Sequence, residues 1–123
     1  TGEAREITHV VIAWLKPEFR TEEYLKKLFE ANERLSDIPQ VLSIRIGNPL
    51  ESDRSRVDDS FDLANVITFN SVEDMNDYLV HPIHEKFISE FITGKVEKAI
   101  AYDMRSPPVL SSWCPMTPLM SQA

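Results

Sequence analysis

At 123 residues the chain has enough sequence for one hydrophobic core and too little for two ordinary domains. Its 20 acidic and 13 basic residues leave a formal charge of −7, the opposite of what nucleic acid or an anionic membrane surface selects, and in keeping with a soluble protein. The single cysteine, Cys114, has no partner for an intramolecular disulfide and supplies no metal cluster.

No stretch approaches the roughly eighteen apolar residues that span a bilayer, and the start Thr-Gly-Glu-Ala-Arg has no apolar signal core. Composition leaves the compartment open; a soluble cytoplasmic protein is expected in preference to an exported one with a cleaved signal.

Ile7 to Leu15 (ITHVVIAWL) is apolar almost throughout and rich in β-branched residues, the pattern of a strand covered on both faces. Lys16-Pro17 ends it. Thr21 then offers an N-cap followed by two acids, and Tyr24, Leu25, Leu28, Phe29 and Leu35 repeat at helical spacing. After Pro39, Val41 to Ile46 reads as a half-buried strand closed by Gly47.

Residues 47 to 61 form a long polar connection, expected to be a partly ordered surface loop. Its Asp53, Asp58 and Asp59 lack fixed cation-ligand spacing. Asp62 to Phe69 is the third strand. Ser71 caps a second helix that His81-Pro82 breaks into two segments, and Ile83, Phe87, Ile88 and Phe91 resume the helical period. Lys98 to Met104 is the last strand.

The order is therefore β-α-β-β-α-β: an α+β, ferredoxin-like domain with a four-stranded antiparallel sheet in which strand one lies between strands three and four. The domain is expected over residues 7 to 104, between an N-terminal tail (1 to 6) and a Pro-rich apolar tail (105 to 123) that includes Val109, Leu110, Trp113, Met116, Leu119 and Met120. That second tail is expected to lie across a protein surface.

Two helices cover one face of such a sheet. The alternation of strand one sends His9, Val11, Ala13 and Leu15 one way and Val10, Ile12 and Trp14 the other. The second face, with Val10, Ile12, Trp14, Val66, Ile100 and Tyr102, would be a large exposed apolar patch, so a second copy of the chain is the expected cover. This pairs the sheets into a dimeric α/β barrel.

Several of these residues resemble the stress-responsive A/B barrel family, also called Dabb. They are His9-Val10-Val11 opening strand one, Leu15-Lys16 closing it, Ile38-Pro39-Gln40-Val41 before strand two, Tyr78-Leu79-Val80-His81-Pro82-Ile83-His84 in the second helix, and Asp103 ending the last strand. The resemblance spans about Ile7 to Met104. It implies a ferredoxin-like protomer pairing into a closed barrel. The family includes stress-induced proteins without an established reaction and plant polyketide cyclases that work without a metal or organic cofactor, so no cofactor is expected here.

By resemblance to those cyclases Tyr78 polarises a carbonyl, His84 is the general base, and His9 and Asp103 line the pocket. The sequence departs from them at Leu63, where they carry a further pocket histidine; Asn65 is the neighbouring inward polar residue. Independently of the resemblance, an imidazole oriented by a carboxylate and paired with a tyrosine hydroxyl suits proton removal and oxyanion stabilisation. Asn65, Leu63, Val11 and Phe87 are the expected lining of the binding pocket. His81 and His84 share a helix face, but Glu85 is the only close carboxylate and no metal is expected.

Two functions follow. One is a homodimer that binds a small apolar or keto ligand, or acts in stress without chemistry of its own. The other is a cofactor-independent cyclase, lyase or isomerase acting on a keto or polyketide-like compound. An open cavity reaching Tyr78, His84 and His9 favours chemistry, and a space filled by Phe87, Phe91, Leu25 and Phe29 favours its absence.

Overall fold

The computed structural model describes residues 5–107. The expectation for Val109 to Met120 lies outside the described residues. Seven main elements follow one another: β1 (Ile7–Leu15), α1 (Glu22–Glu33), β2 (Ser43–Gly47), β3 (Leu63–Phe69), α2 (Val72–Leu79), α3 (Pro82–Phe87) and β4 (Val96–Arg105). Short 3₁₀ turns occupy Pro17–Phe19 and Arg34–Asp37, and a π-helical turn, Ile88–Ile92, continues α3.

The helix starts follow the sequence chemistry. The Thr21 hydroxyl accepts from the Tyr24 amide and the Ser71 hydroxyl from the Asp74 amide, each satisfying a donor that the first helical turn leaves free. At the break in the second helix, the His81 ring nitrogen Nδ1 accepts from the Ile83 amide at 3.1 Å, and Pro82 occupies the first position of α3. After the π-helical turn, Gly94 takes a φ of 80°, a left-handed conformation that suits a residue without Cβ, and the chain reverses into β4.

All sheet neighbours are antiparallel, in the order β2-β3-β1-β4. Three boundaries differ from the sequence reading. The Val41 amide bonds to the Ile38 carbonyl, so a turn persists where a strand was expected and β2 starts at Ser43. The Asp62 carboxylate accepts from the Leu15 amide and pairs with Arg20, tying the loop to the top of β1 just before β3. β4 is longer than expected because Val96 already pairs with Leu15, and beyond its end the Ser106 amide donates to the Glu6 carbonyl.

The core lies between the sheet and the helices. Leu15, Leu28, Leu35, Ile38, Ile67 and Phe69 are fully buried there. Residues one position away on the strands face the opposite side. Val10, Ile12, Trp14, Val66 and Ile100 are only half-buried, while Tyr102 and Met104 are more than half exposed. Among the described residues no helix is long and apolar enough to cross a membrane.

Candidate functional site

On the helix side of the sheet, His9, Val11 and Ala13 of β1 stand opposite Ile67, Asn65 and Leu63 of β3 and opposite Asp103, Ala101 and Ala99 of β4. The short residues of β4 leave this corner of the sheet thinly covered. A cavity of about 130 Å³ lies there, bounded by Val11, Ala13, Leu63, Val96 and Ala99 from the sheet side and by Phe87, Ile88 and Ile92 from the helical side. Its polar groups are His9, Asn65, Tyr78 and His84. The volume is of the order that holds a single six-membered ring.

The space is thus not filled by the aromatic and leucine side chains named above. Phe87 is one wall, whereas Leu25, Phe29 and Phe91 do not line it. The Phe91 carbonyl accepts from the Tyr24 hydroxyl, and its ring lines a wider groove between α1 and α3. That groove has Arg34, Asp37, Lys86 and Glu90 at its edges and none of the histidines.

His9 is buried, and its Nδ1 is hydrogen-bonded to the carboxylate of Asp103, its direct partner across the β1–β4 ladder. A carboxylate only accepts, so the neutral ring carries its proton on Nδ1 and a lone pair on Nε2. Asp103 itself is partly exposed and does not line the cavity. Its link to the cavity is the bond to His9.

Tyr78 is almost completely buried, with its ring centroid 5.0 Å from Phe69, 6.2 Å from His9 and 4.6 Å from His84. Burial pushes its phenol well above the ordinary tyrosine range, so the hydroxyl stays protonated and able to donate. His84 Nδ1 lies 3.0 Å from the Leu79 carbonyl. Because a carbonyl can only accept, that nitrogen carries the proton and Nε2 holds the lone pair. Burial holds the His84 pKa below the ordinary histidine value, with the nearby His9 adding to the effect; the bond to Leu79 and the Glu85 carboxylate oppose it.

A residue that sequence reasoning missed supports Asn65. Asn32 on α1 is fully buried; its Nδ2 donates to the Leu28 carbonyl at 3.0 Å, and its Oδ1 accepts from Asn65 Nδ2 at 2.8 Å. The signal was present. Asn32 falls four residues after Leu28 and three before Leu35, a polar side chain on the buried stripe of an amphipathic helix.

The Nδ1 atoms of His81 and His84 have different partners, the Ile83 amide and the Leu79 carbonyl. Among the described residues no group of three potential metal ligands occurs. Asp58 and Asp59 accept from the backbone amides of Ser60 and Ser52 and brace the long loop. That loop also reaches the open sheet face, where the Trp14 indole N–H donates to the Ser60 hydroxyl and Lys98 Nζ stands 4.9 Å from the Trp14 ring centroid.

Comparison with solved structures returns the same fold at low sequence identity. A dimeric ferredoxin-like protein of unknown function from Thermobifida fusca superposes with a TM-score of 0.72 at 17% identity, covering 85% of this chain and 93% of that one. The hydroxynitrile lyase of Passiflora edulis gives a TM-score of 0.72 at 22% identity, with 87% and 98% covered. A Dabb family protein with a ferredoxin-like fold from Mesorhizobium loti gives 0.67 at 24% identity, with 85% and 99% covered. No curated protein sequence matches the chain significantly. The family model described as the stress responsive A/B barrel domain matches residues 7–106, which include every strand, every helix and all four polar groups of the cavity, and the chain therefore belongs to the stress responsive A/B barrel (Dabb) family.

Proposed function

We propose that the chain works as a homodimer whose protomers each bind a small, largely apolar compound with a carbonyl group in the cavity between the sheet and α3. The observation that carries this reading is the cavity itself: apolar walls on most sides, and His9, Asn65, Tyr78 and His84 converging on one space. The Tyr78 hydroxyl is the donor for the carbonyl. Val10, Ile12, Trp14, Val66, Ile100 and Tyr102 form the interface, and the T. fusca protein, itself described as dimeric, supports a paired arrangement. The domain in this reading runs from residue 7 to about residue 104.

A second reading, acid–base catalysis on the bound compound, is favoured by one observation. His84 is neutral near pH 7 with its proton engaged by Leu79, so its free Nε2 is a base beside the Tyr78 ring. Removal of a proton next to a carbonyl held by Tyr78 places negative charge on an oxygen that Tyr78 stabilises. That step opens cyclase, isomerase or lyase chemistry, and a lyase of the same fold adds weight to it.

Incubation with a small ketone in D₂O, followed by proton NMR, tests both readings. Binding shifts the resonances of cavity residues, and catalysis appears as deuterium entering beside the carbonyl faster than in buffer. His84→Ala should return exchange to the buffer rate while the fold persists; Tyr78→Phe should leave a slower residual rate, a loss of about 1 to 3 kcal/mol in transition-state stabilisation. Binding without accelerated exchange would leave the first reading alone. Failure of small ketones and alcohols alike to shift any cavity resonance would remove both.

A further inference from the structure

The orientation of two buried carboxamides determines what the cavity asks of its ligand. The Leu28 carbonyl can only accept, so the NH₂ group of Asn32 must face it and the Asn32 oxygen must face Asn65. Asn65 therefore turns its own NH₂ group toward Asn32. Its Oδ1, on the other arm of the amide, is buried and has no hydrogen-bond partner among the described residues. Neither amide can flip without setting two donors or two acceptors against each other.

Asn65 is buried and lines the cavity, and Asn32 does not line it. The relay thus runs from the backbone of α1, through Asn32, to an unpartnered acceptor on Asn65, a residue that lines the cavity. An unsatisfied buried oxygen is costly, and it rewards an occupant that donates to it. We infer that the ligand carries a hydroxyl or another hydrogen-bond donor alongside its carbonyl, so that hydroxy-carbonyl compounds are the class for which the cavity is built. Asn65 is the residue that selects this donor, and Asn32 is a positioning residue that holds it the right way round. The inference rests on the small-ligand reading of the same cavity and narrows it.

Matched single-ring probes test it on the full chain: cyclohexanol as donor, methoxycyclohexane as the same ring without one, titrated by NMR into wild type, Asn65→Leu and Asn32→Leu. Wild type should prefer the alcohol by roughly tenfold, since a site built to hydrogen-bond a hydroxyl rejects the analogue that lacks it. Asn65→Leu should abolish the preference by losing alcohol affinity while keeping the ether. Asn32→Leu should weaken the preference without deleting any group that touches the ligand, because Asn65 can then present either end of its amide. Equal affinities in wild type would mean that water satisfies the oxygen, overturning the inference while leaving the pocket reading intact. Cavity resonances that respond to neither probe nor to a small ketone would overturn the pocket reading and the inference together. The wild-type comparison needs no variant to fold.

Discussion

The two faces of the sheet are built by the same strands and carry different side chains. On the helix side, the apolar alternation is interrupted at His9 and Asn65, and each interruption has a dedicated hydrogen-bond partner, Asp103 and Asn32. On the open side Val10, Ile12, Val66 and Ile100 make an apolar surface, with polar contacts at its margins, Trp14 to Ser60 at one end and Ser43 to Thr68 at the other. Position-specific polar groups suit recognition of one small molecule. An apolar field with polar edges suits a large partner surface.

The strongest way to break this comparison is a charge in the middle of the open face. Ile12 lies between Ala64 and Ile100, so Ile12→Glu should abolish the dimer by setting an unpaired carboxylate in an apolar interface. Light scattering at micromolar concentration should give about twice the 14.1 kDa chain mass for wild type and the single-chain mass for the variant. A wild type that scatters as one chain would refute the interface. A change on the other face should act differently: Ile67→Ala removes a fully buried side chain and should cost about 2–5 kcal/mol at any protein concentration, measured by urea unfolding. Val66→Ala, its neighbour on the opposite face, should cost less, and its effect should fade on dilution.

The polar side of the comparison sharpens with pH. The folded-state pKa of His84 lies below its unfolded value of about 6.5, so the unfolded chain takes up that proton first as pH falls. The stabilising contribution is complete above about pH 6.5 and is lost as pH drops toward and through the lower folded value. Melting temperatures of wild type minus those of His84→Gln should therefore decline from pH 7.5 to pH 5.5. A difference independent of pH would contradict the burial of that ring. The smallest expected effect is that of Asp103→Asn: the carboxylate is partly exposed, so stability should change by less than about 1 kcal/mol. Imidazole nitrogen NMR should nevertheless show a redistribution of His9 between its two tautomers, the readout that distinguishes orientation from simple stabilisation.

The fold was legible because its signals are local. β1 is apolar almost throughout, Thr21 and Ser71 are caps, Pro82 suits the first position of a helix, and these determine the element order before any packing is considered. The pairing of His9 with Asp103 was legible for the same reason, since antiparallel strands of similar length put the start of one beside the end of the other. Asn32 was harder to read, because only long-range packing shows that its stripe of α1 turns toward Asn65. The size of the cavity could not be read. Its volume depends on how far α3 stands from β4, and nothing in the spacing of Phe87, Ile88 and Ile92 reveals a distance.

The π-helical turn at Ile88–Ile92 has an evolutionary consequence. Such a turn carries one residue more than an α-helix needs, and Ile88 and Ile92 both belong to the cavity wall. Loss of a single residue there, such as the exposed Ser89, would restore α-helical winding and carry Ile92 about 100° around the helix axis. Tyr78 and His84 precede the turn, and the sheet ladders lie outside it. Lineages that gain or lose one codon in this segment can therefore resize the chamber while its chemical groups keep their places.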